Sequence, residues 1–578
     1  MLDLRLYRLT LLPLAVGLVI VAFSLHSGPG PLSGTLATQG FDATDAAQAL
    51  GDMAAAGEPG SRGDRALAQQ LSTQRAPSGF AQTGFNVHVA SVRAQTADGA
   101  RALDVVIATA VPGQRPGTVA VFADRANGAA TALLIELAQA FRNVVPQRSL
   151  ILVSTAGGAS GVAAALGALP HDIVAAIVIG GVTGAASGAT LHALPWSSKG
   201  VAPPALRATM ETAFAAASGR RVGDVSLADQ LARLALPLTA GAQGPLGDAG
   251  IPAVLAGTGG ELPDGGAGAS VADLRVMGGA IAAAVSALDV AGSLPAGPWR
   301  GLSVGSQLLD GWAVRLLGGL ALLSLAACTL DVLARSRRRR TPVLRSVAWV
   351  LSFATPFMLA GLFALFLGAA GLLRATPATV VTPAELPVGA AGTGVLFSVI
   401  LLFVLAWGLR AYVRRRTRGQ KSGPPPPLGA GAGLLAATTA VAFLIWLVNP
   451  YASLLLVLPA HAWLVALTRE ERRSPAIGLF VIVLSLAPLA AAIALLCAGL
   501  GVSPFGLLWT LVVFVGSSNV SFVALLLASL AAGCAVAAAA ALLAPALPPP
   551  PEIQVTMRGP LTYAGPGSLG GTSSALRR

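Results

Sequence analysis

Arg125-Ala126-Asn127-Gly128-Ala129-Ala130-Thr131-Ala132-Leu133-Leu134-Ile135-Glu136-Leu137-Ala138 is the stretch on which the reading of the chain turns. It opens on short polar and small residues and runs into apolar ones, as the start of a helix does. The helix is expected over 130–142. Short β-branched or apolar runs at 118–122, 150–154 and 173–179 lie around it, each bounded by turn residues, as buried parallel strands are. Further helices are expected over 41–56, from 64 to 71 and over 272–288. Strands alternating with helices from 41 to 292 make one α/β domain with a mostly parallel central sheet flanked by helices.

The rest of the chain is of another kind. Of its 578 residues, 54% are hydrophobic and 11% charged, too apolar for a soluble protein of this length. Mean hydropathy is +0.72. Abundant Ala, Gly and Pro suit a GC-rich bacterial genome. The net charge of +13 could suggest nucleic acid, but the basic residues sit beside apolar runs, so topology explains them and no nucleic-acid partner is expected. The partners expected are the lipid bilayer and a membrane protein.

Residues 1–25 carry Arg5 and Arg8 ahead of an apolar run over 9–25, read as a retained signal anchor rather than a cleaved signal peptide. Residues 26–40 and 293–310 read as linkers. Spans are expected near 311–333, 346–373, 393–412, 429–448, 451–467, 476–501 and 519–545, an all-α polytopic membrane domain over 311–545. The segment 505–515 is apolar but short, and its role stays open. Arg335 and Arg337–Arg340 follow the first span; Arg414–Arg416, Arg418 and Lys421 follow the third; Arg469, Arg472 and Arg473 follow the fifth. The loops between carry only Arg374 as a basic residue. This alternation places 26–310 outside a plasma membrane and both termini inside. The tail 546–578 begins with a proline run and reads as disordered. Cys328, Cys497 and Cys534 all lie in apolar runs, so no disulfide or structural zinc is expected in the outer domain.

The outer domain resembles the M28 family of zinc aminopeptidases. Gly60-Ser61-Arg62-Gly63-Asp64-Arg65-Ala66 is similar to the family's GS-x-G-x-x-A, and Asn127–Ala138 to its DNASG-x-AALLELA helix. Ser154–Gly161 stands where a strand end delivers a Glu-Glu pair, and Ile177–Gly184 where a strand ends in a ligand Asp. Gln243-Gly244-Pro245-Leu246 with Ala249-Gly250-Ile251-Pro252-Ala253 is similar to SDHxPF…AGIPA. The resemblance implies two zinc ions held by two His and three carboxylates, with a further Glu as general base.

The residues depart from that pattern at each site. The first His falls at Phe122, although Asp124 is kept. The bridging Asp becomes Ala126, with Asn127 kept. The Glu-Glu pair becomes Gly158-Ala159, the ligand Asp becomes Gly180, and the last His becomes Gln243. No catalytic residue and no metal ligand is therefore assigned, and no cofactor is expected. Asp124, Asn127 and Gln243 stay as candidates for binding in the cleft.

His88, His171, Asp172, His192 and Asp248 are the other polar candidates. His171-Asp172 reads as a turn and cap, Asp248 as a turn, and Glu136 as a packed helix position. Ser160 stands outside any nucleophile motif. His461, inside the fifth span, is either a proton relay or an interfacial residue, and the second reading is preferred. Asp331 and Arg315 lie near span ends, where long side chains snorkel.

The layout is also similar to the M28-like subunit of the eukaryotic GPI transamidase. It suggests a membrane-anchored pseudo-peptidase that binds or scaffolds. The alternatives are an active zinc aminopeptidase, and a lipid or small-molecule transporter.

Overall fold

The computed structural model describes residues 4–32, 40–73, 78–81, 83–111, 113–220, 222–223, 225–262, 268–294, 297–377, 379–383, 385–418, 429–467 and 475–544. Lys421, Arg469, Arg472, Arg473, the tail 546–578 and the side chains of Arg5 and Arg418 lie outside that description.

Twelve described strands form three sheets. In chain order they are β1 (His26–Ser27), β2 (Asn86–Thr96), β3 (Gly99–Thr109), β4 (Thr118–Asp124), β5 (Ser149–Thr155), β6 (Ile173–Ile179), β7 (Leu191–Leu194), β8 (Trp196–Ser197), β9 (Gly200–Val201), β10 (Ala253–Thr258), β11 (Gly301–Val304) and β12 (Gln307–Asp310). The main sheet has the order β2-β3-β5-β4-β6-β10-β7. Its centre, β5-β4-β6-β10, is parallel; β3 and β7 run against it. The central strands are buried along their whole length, which is why they read as continuous apolar runs. The β2-β3 hairpin was not foreseen from sequence. Its alternating polar residues are those of a strand with one face in solvent.

Helices cover both faces. α1 (Leu4–Thr10) and α2 (Leu12–Ser24) precede the domain, which contributes α3 (Ala43–Asp52), α4 (Arg62–Thr73), α5 (Gly128–Ala140), α6 (Gly158–Ala165), α7 (Pro204–Ser218), α8 (Leu227–Ala235), α9 (Gln243–Asp248) and α10 (Val271–Val290). Ala and Leu from α3, α5, α7 and α10 make one core against the sheet, and α6 and α9 a second on the other face. Local signals set the boundaries. Ser270 and Asp273 form a capping box at the start of α10, and Gly219, at φ 66°, ends α7.

Nine described helices are long and apolar enough to cross a membrane. One of them, α10, is packed inside the α/β domain. The others are the 7–24 segment spanning α1–α2, then α11 (Gly311–Arg338), α12–α13 (Val343–Leu351 and Thr355–Ala369), α14 (Ala390–Arg418), α15 (Ala430–Val448), α16 (Pro450–Leu467), α17 (Pro475–Leu500) and α19 (Phe522–Leu542). This agrees with a multi-pass protein in lipid. The span expected over 346–373 is broken at 352–354, because Pro356 cannot continue α12 and instead begins α13.

Two expectations change. Residues 293–310 are not only a linker: β11 and β12 form a hairpin, and β1 from 26–40 pairs with β12, joining both ends of the domain at the membrane. The short apolar segment, whose role the sequence left open, is α18 (Pro504–Gly516), and the 374–389 loop holds it in the middle and just past its C-terminal end. Thr376 donates to Ser517 Oγ at 2.7 Å, Asn519 Nδ2 to the Pro377 carbonyl at 2.6 Å, and Trp509 Nε1 to the Leu386 carbonyl at 3.0 Å. α18 packs against the bundle as well: Val512 and Val513 share a core with Ala364, Leu367, Leu396 and Val399.

Inside the bundle, His461 accepts from or donates to Tyr7 Oη at 3.3 Å and meets the Ala321 carbonyl at 3.1 Å, which ties α16 to α1 and α11. Asp331 makes an i,i+4 pair with Arg335 at 3.0 Å, and Arg315 lies over the Trp446 ring.

Candidate functional site: the strand-end cleft

The parallel strands β4, β5, β6 and β10 all end on one side, where an open α/β sheet offers its ligand crevice. A cavity of about 280 Å³ opens there, lined among others by Phe122, Asp124, Gly158, Val178, Leu255 and Glu385.

Asp124 ends β4 and points into this space. Its Oδ1 accepts from the Ala126 amide at 2.8 Å, and its Oδ2 accepts from the Gly158 amide. Burial raises its pKa, against the pull of those two amides. Asp124 thus bridges the ends of β4 and β5 and uses both oxygens in doing so. Gly157 and Gly158 sit at φ 86° and 57°, where a side chain would be strained. Gly158 is one of the two positions where the sequence resemblance would put a Glu-Glu pair, and its backbone takes a form that suits glycine.

Asn127 is the cap of α5. Its Oδ1 accepts from Ala130 N at 3.1 Å, and its Nδ2 donates to the Gly180 carbonyl at 2.9 Å, clamping β4 to β6. Gln243 begins α9 and is buried, with its amide against Gly241 and no hydrogen-bond partner for Nε2 or Oε1. Ala126 and Ala159 line the cavity, and Gly180 stands at the end of β6 with Leu255 and Ala256 close to it. The structure therefore brings Phe122, Asp124, Ala126, Gly158 and Ala159 to one cavity, while Gly180 and Gln243 are not among its lining residues.

The other polar candidates do not converge. Asp172 accepts from Thr118 Oγ1 at 3.0 Å at the far end of β4, and Asp248 accepts from Ser198 N and Oγ. His192 lies on the edge strand β7, where burial lowers its pKa. His88 is exposed on β2.

Three residues that the sequence reading did not single out shape the site. Arg125 is 1% exposed. It meets Asp64 at 2.6 Å and donates to the Ser154 and Asp104 carbonyls at 3.0 and 2.6 Å, so it pins β4, β5 and β3 from beneath. Asp64 also accepts from Gly60 N at 2.8 Å, which explains the Gly60–Ala66 motif as a clasp on α4. Glu261 pairs with Arg233 at 2.9 Å and accepts from Thr239 Oγ1 and the Ala240 amide. Arg233 in turn abuts Gly499 at the end of α17.

Glu385 comes from the membrane part, on the 374–389 loop. It accepts from Thr382 N at 3.1 Å, and burial, with Asp124 adding to it, raises its pKa. It is the one acidic residue of an otherwise apolar, Pro-containing stretch, a signal present in the sequence. The loop is fixed to the α/β domain. Gln95 Nε2 donates to the Ala375 carbonyl at 2.7 Å, and Ala240, Val380, Leu496, Cys497, Leu500 and Leu507 share a small core. The strand-end cleft therefore faces the membrane bundle, which roofs it.

A pair of zinc ions does not fit these residues. Alanine and glycine offer no side-chain donor, Asp124 is bound at both oxygens, and Gln243 is a neutral amide. Among the described residues no group of three His, Cys, Asp or Glu side chains is arranged to hold a metal ion.

No protein-family model matches the chain. No curated protein matches it either. Solved structures similar to it include the zinc aminopeptidase BSAP of Bacillus subtilis (12% identity, TM-score 0.32), with 42% of this chain covering 94% of that one. The Porphyromonas gingivalis glutaminyl cyclase is 18% identical at TM-score 0.31, 43% of this chain covering 98% of that one. The Bacteroides thetaiotaomicron glutaminyl cyclase bound to N-acetylhistamine is 13% identical at TM-score 0.32, with 43% and 98% covered.

Proposed function

We propose that this chain is a multi-pass membrane protein whose peptidase-like domain binds or scaffolds without hydrolysing. The observation that carries the reading is the state of Asp124. The acid left at the strand ends is tied to the Ala126 and Gly158 amides, in a loop whose positive-φ glycines leave no comfortable place for a second carboxylate. With Ala126, Gly158, Ala159, Gly180 and Gln243 at the remaining positions, nothing there polarises a carbonyl or activates water. What remains is a small, largely apolar cavity with a buried acid on its floor and another in its roof, suited to enclosing a small group.

The roof sets the place of action. The cleft opens toward the bundle, so a ligand or protein segment reaches it at the membrane surface. On this reading the α/β domain is extracytoplasmic, with both termini cytoplasmic, as the basic stretches after α11 and α14 require. A membrane protein partner supplies whatever chemistry is done.

The test uses the full-length protein in detergent. Metal content by elemental analysis is expected to show no stoichiometric zinc, and added zinc is expected to leave the thermal midpoint unmoved. A ligand at 100 times its Kd that binds only the folded form adds about 2.7 kcal/mol, so a bound pair would show. Two zinc ions per chain with a raised midpoint would overturn the proposal in favour of a peptidase.

A further inference from the structure

Where the α/β domain meets the bundle, the chain sets charges and aromatic rings at one level. Trp299 and Arg300 precede β11, Asp310 and Trp312 flank the start of α11, Arg315 follows one turn later, and Trp446 lies in the last turn of α15. This end of the bundle shares a core with the α/β domain, through Trp196 and Val201 on one side and Ala313, Val314 and Tyr451 on the other. It is opposite to the end at which Arg335, Arg337 and Arg338 close α11. Tryptophan and tyrosine at span ends mark the headgroup level of a bilayer. Trp312 is 52% exposed and Val448, the last residue of α15, 66%, so the rim is open to lipid.

A cavity of about 640 Å³ opens in that rim, with Lys199, Trp299, Arg300, Asp310 and Arg315 in its wall. Its charges are held by neutral groups and not by one another. Arg300 Nε donates to the Lys199 carbonyl at 2.8 Å, and Lys199 Nζ to the Asp248 carbonyl. Arg315 lies over the Trp446 ring, 5.2 Å from its centre, and that indole donates to the Arg315 carbonyl at 3.0 Å. Asp310 Oδ1 accepts from Trp299 Nε1 at 3.3 Å. Among the described residues, the Nη groups of Arg300, the Arg315 guanidinium and Asp310 Oδ2 have no hydrogen-bond or ion-pair partner.

Two guanidinium groups and one carboxylate, unpaired in one wall, suit a ligand that carries both signs. Guanidinium groups match the oxygens of a phosphate ester, and a carboxylate accepts from an ammonium that has N–H groups to give. The level selects the source. From Val448, Leu447 and Leu444 continue along α15, 48% and 47% exposed, as an apolar track beneath the charges. Arg315, one turn inside its span, reaches the headgroup level as a long side chain does. We propose that this cavity holds the headgroup of a phospholipid with a primary ammonium, its phosphate on Arg300 and Arg315, its ammonium on Asp310 and its acyl chains along α15.

The test is native mass spectrometry of the delipidated full-length protein, re-supplied with equimolar phosphatidylethanolamine, phosphatidylglycerol and phosphatidylcholine of the same acyl chains. The wild type is expected to carry phosphatidylethanolamine about tenfold more often than either other lipid, the worth of one charge-assisted hydrogen bond. Asp310→Asn is expected to bring it down to the level of phosphatidylcholine. Asp310 makes no side-chain cap bond to α11, so this variant leaves the helix start as it is. Arg300→Gln/Arg315→Gln is expected to lower uptake of all three lipids about tenfold. Arg337→Gln/Arg338→Gln, equal in charge change but at the far end of α11, is expected to keep the wild-type pattern. Equal uptake of the three lipids, or a preference for phosphatidylglycerol or phosphatidylcholine, overturns the proposal, as does an unchanged pattern in either site variant. The same loss in the control variant, or displacement of the lipid by millimolar phosphoethanolamine alone, also overturns it.

Discussion

The strand-end cleft and a groove in the bundle are charged in opposite senses. The strand-end cleft holds acids without a free base: Asp124 on backbone amides, Glu385 in the roof, and Glu261 already matched to Arg233. The groove where the break between α12 and α13 faces α14 is lined by Arg345, Arg410 and Arg414. In the cleft, burial raises the pKa of Asp124 and of Glu385 and so favours their neutral forms, an escape open to a carboxyl. Arginine has no such escape, so it keeps its charge and is held by neutral groups: Ser352 accepts from Arg410 and Arg414, and the Phe353 ring lies under Arg410. The difference teaches how each cavity carries its charge. A carboxyl can shed its charge within the fold, while a guanidinium keeps its charge and needs neutral acceptors and ring faces to hold it.

The sharpest way to break this comparison is at the more deeply buried of the two matched pairs, Arg125–Asp64 rather than Arg233–Glu261. Arg125 and Asp64, both almost wholly buried, are 2.6 Å apart. Asp64→Ala leaves the Arg125 charge in the core, so a loss of about 3–5 kcal/mol is expected. A denaturation midpoint close to that of the wild type would show that the pair does not anchor the strand ends and that the cleft keeps its shape by other means.

The next effect concerns protons. Glu136 on α5 is buried, with Oε1 accepting from Asp42 N at 3.0 Å, and burial first, then Asp45 and Asp42, push its pKa from 4.5 to about 7. Asp124 and Glu385 move in the same direction. A carboxyl whose folded pKa is raised holds a proton that the unfolded chain has already released. Its contribution is complete below the ordinary carboxylate pKa and is lost as pH rises through the folded value. The wild-type midpoint is thus expected to fall as pH rises from 4.5 to above 7. Glu136→Gln should recover about 1–3 kcal/mol of that loss at pH 8. Asp124→Asn/Glu385→Gln should flatten a separate part of the profile, belonging to the roofed cleft. Profiles that coincide with the wild type would mean that these acids ionise freely and that the cleft is wetter than the structure shows.

Much of this was legible in the chain. The continuous apolar runs gave β4, β5 and β6, because burial on both faces removes polar alternation, whereas the fourth central strand, β10, was not singled out. The basic stretches beside apolar runs marked the bundle. The β2-β3 hairpin was missed because its alternation is diluted by Ala and Gln. The kink at 352–354 was missed because Pro356 was read as lying inside a span. In the site, the positions that lack donors were readable from residue identity alone. The roof was not. Glu385 reaches Asp124 across more than 250 residues of chain, and no local pattern records which loop a cleft will face. Arg125 escaped notice for a related reason: one arginine between Asp124 and Ala126 looks exposed until Asp64, Ser154 and Asp104 are seen around it.

The smallest effect separates an idle cleft from a working one. Gln243 is 1% exposed, and neither end of its amide has a hydrogen-bond partner. A buried amide left unsatisfied destabilises the fold, and replacing it by an apolar side chain of similar length removes that penalty. Gln243→Met is therefore expected to raise stability by about 1 kcal/mol, read as a small upward move of the thermal midpoint. In a plain scaffold that gain comes without any loss. If the protein copurifies with a small molecule or peptide that the variant fails to retain, the buried amide, which does not line the cavity, supports the bound form from behind it. A lower midpoint with nothing bound would show that the amide has a partner in solution, such as an enclosed water, and that the start of α9 is better satisfied than its side chains alone indicate.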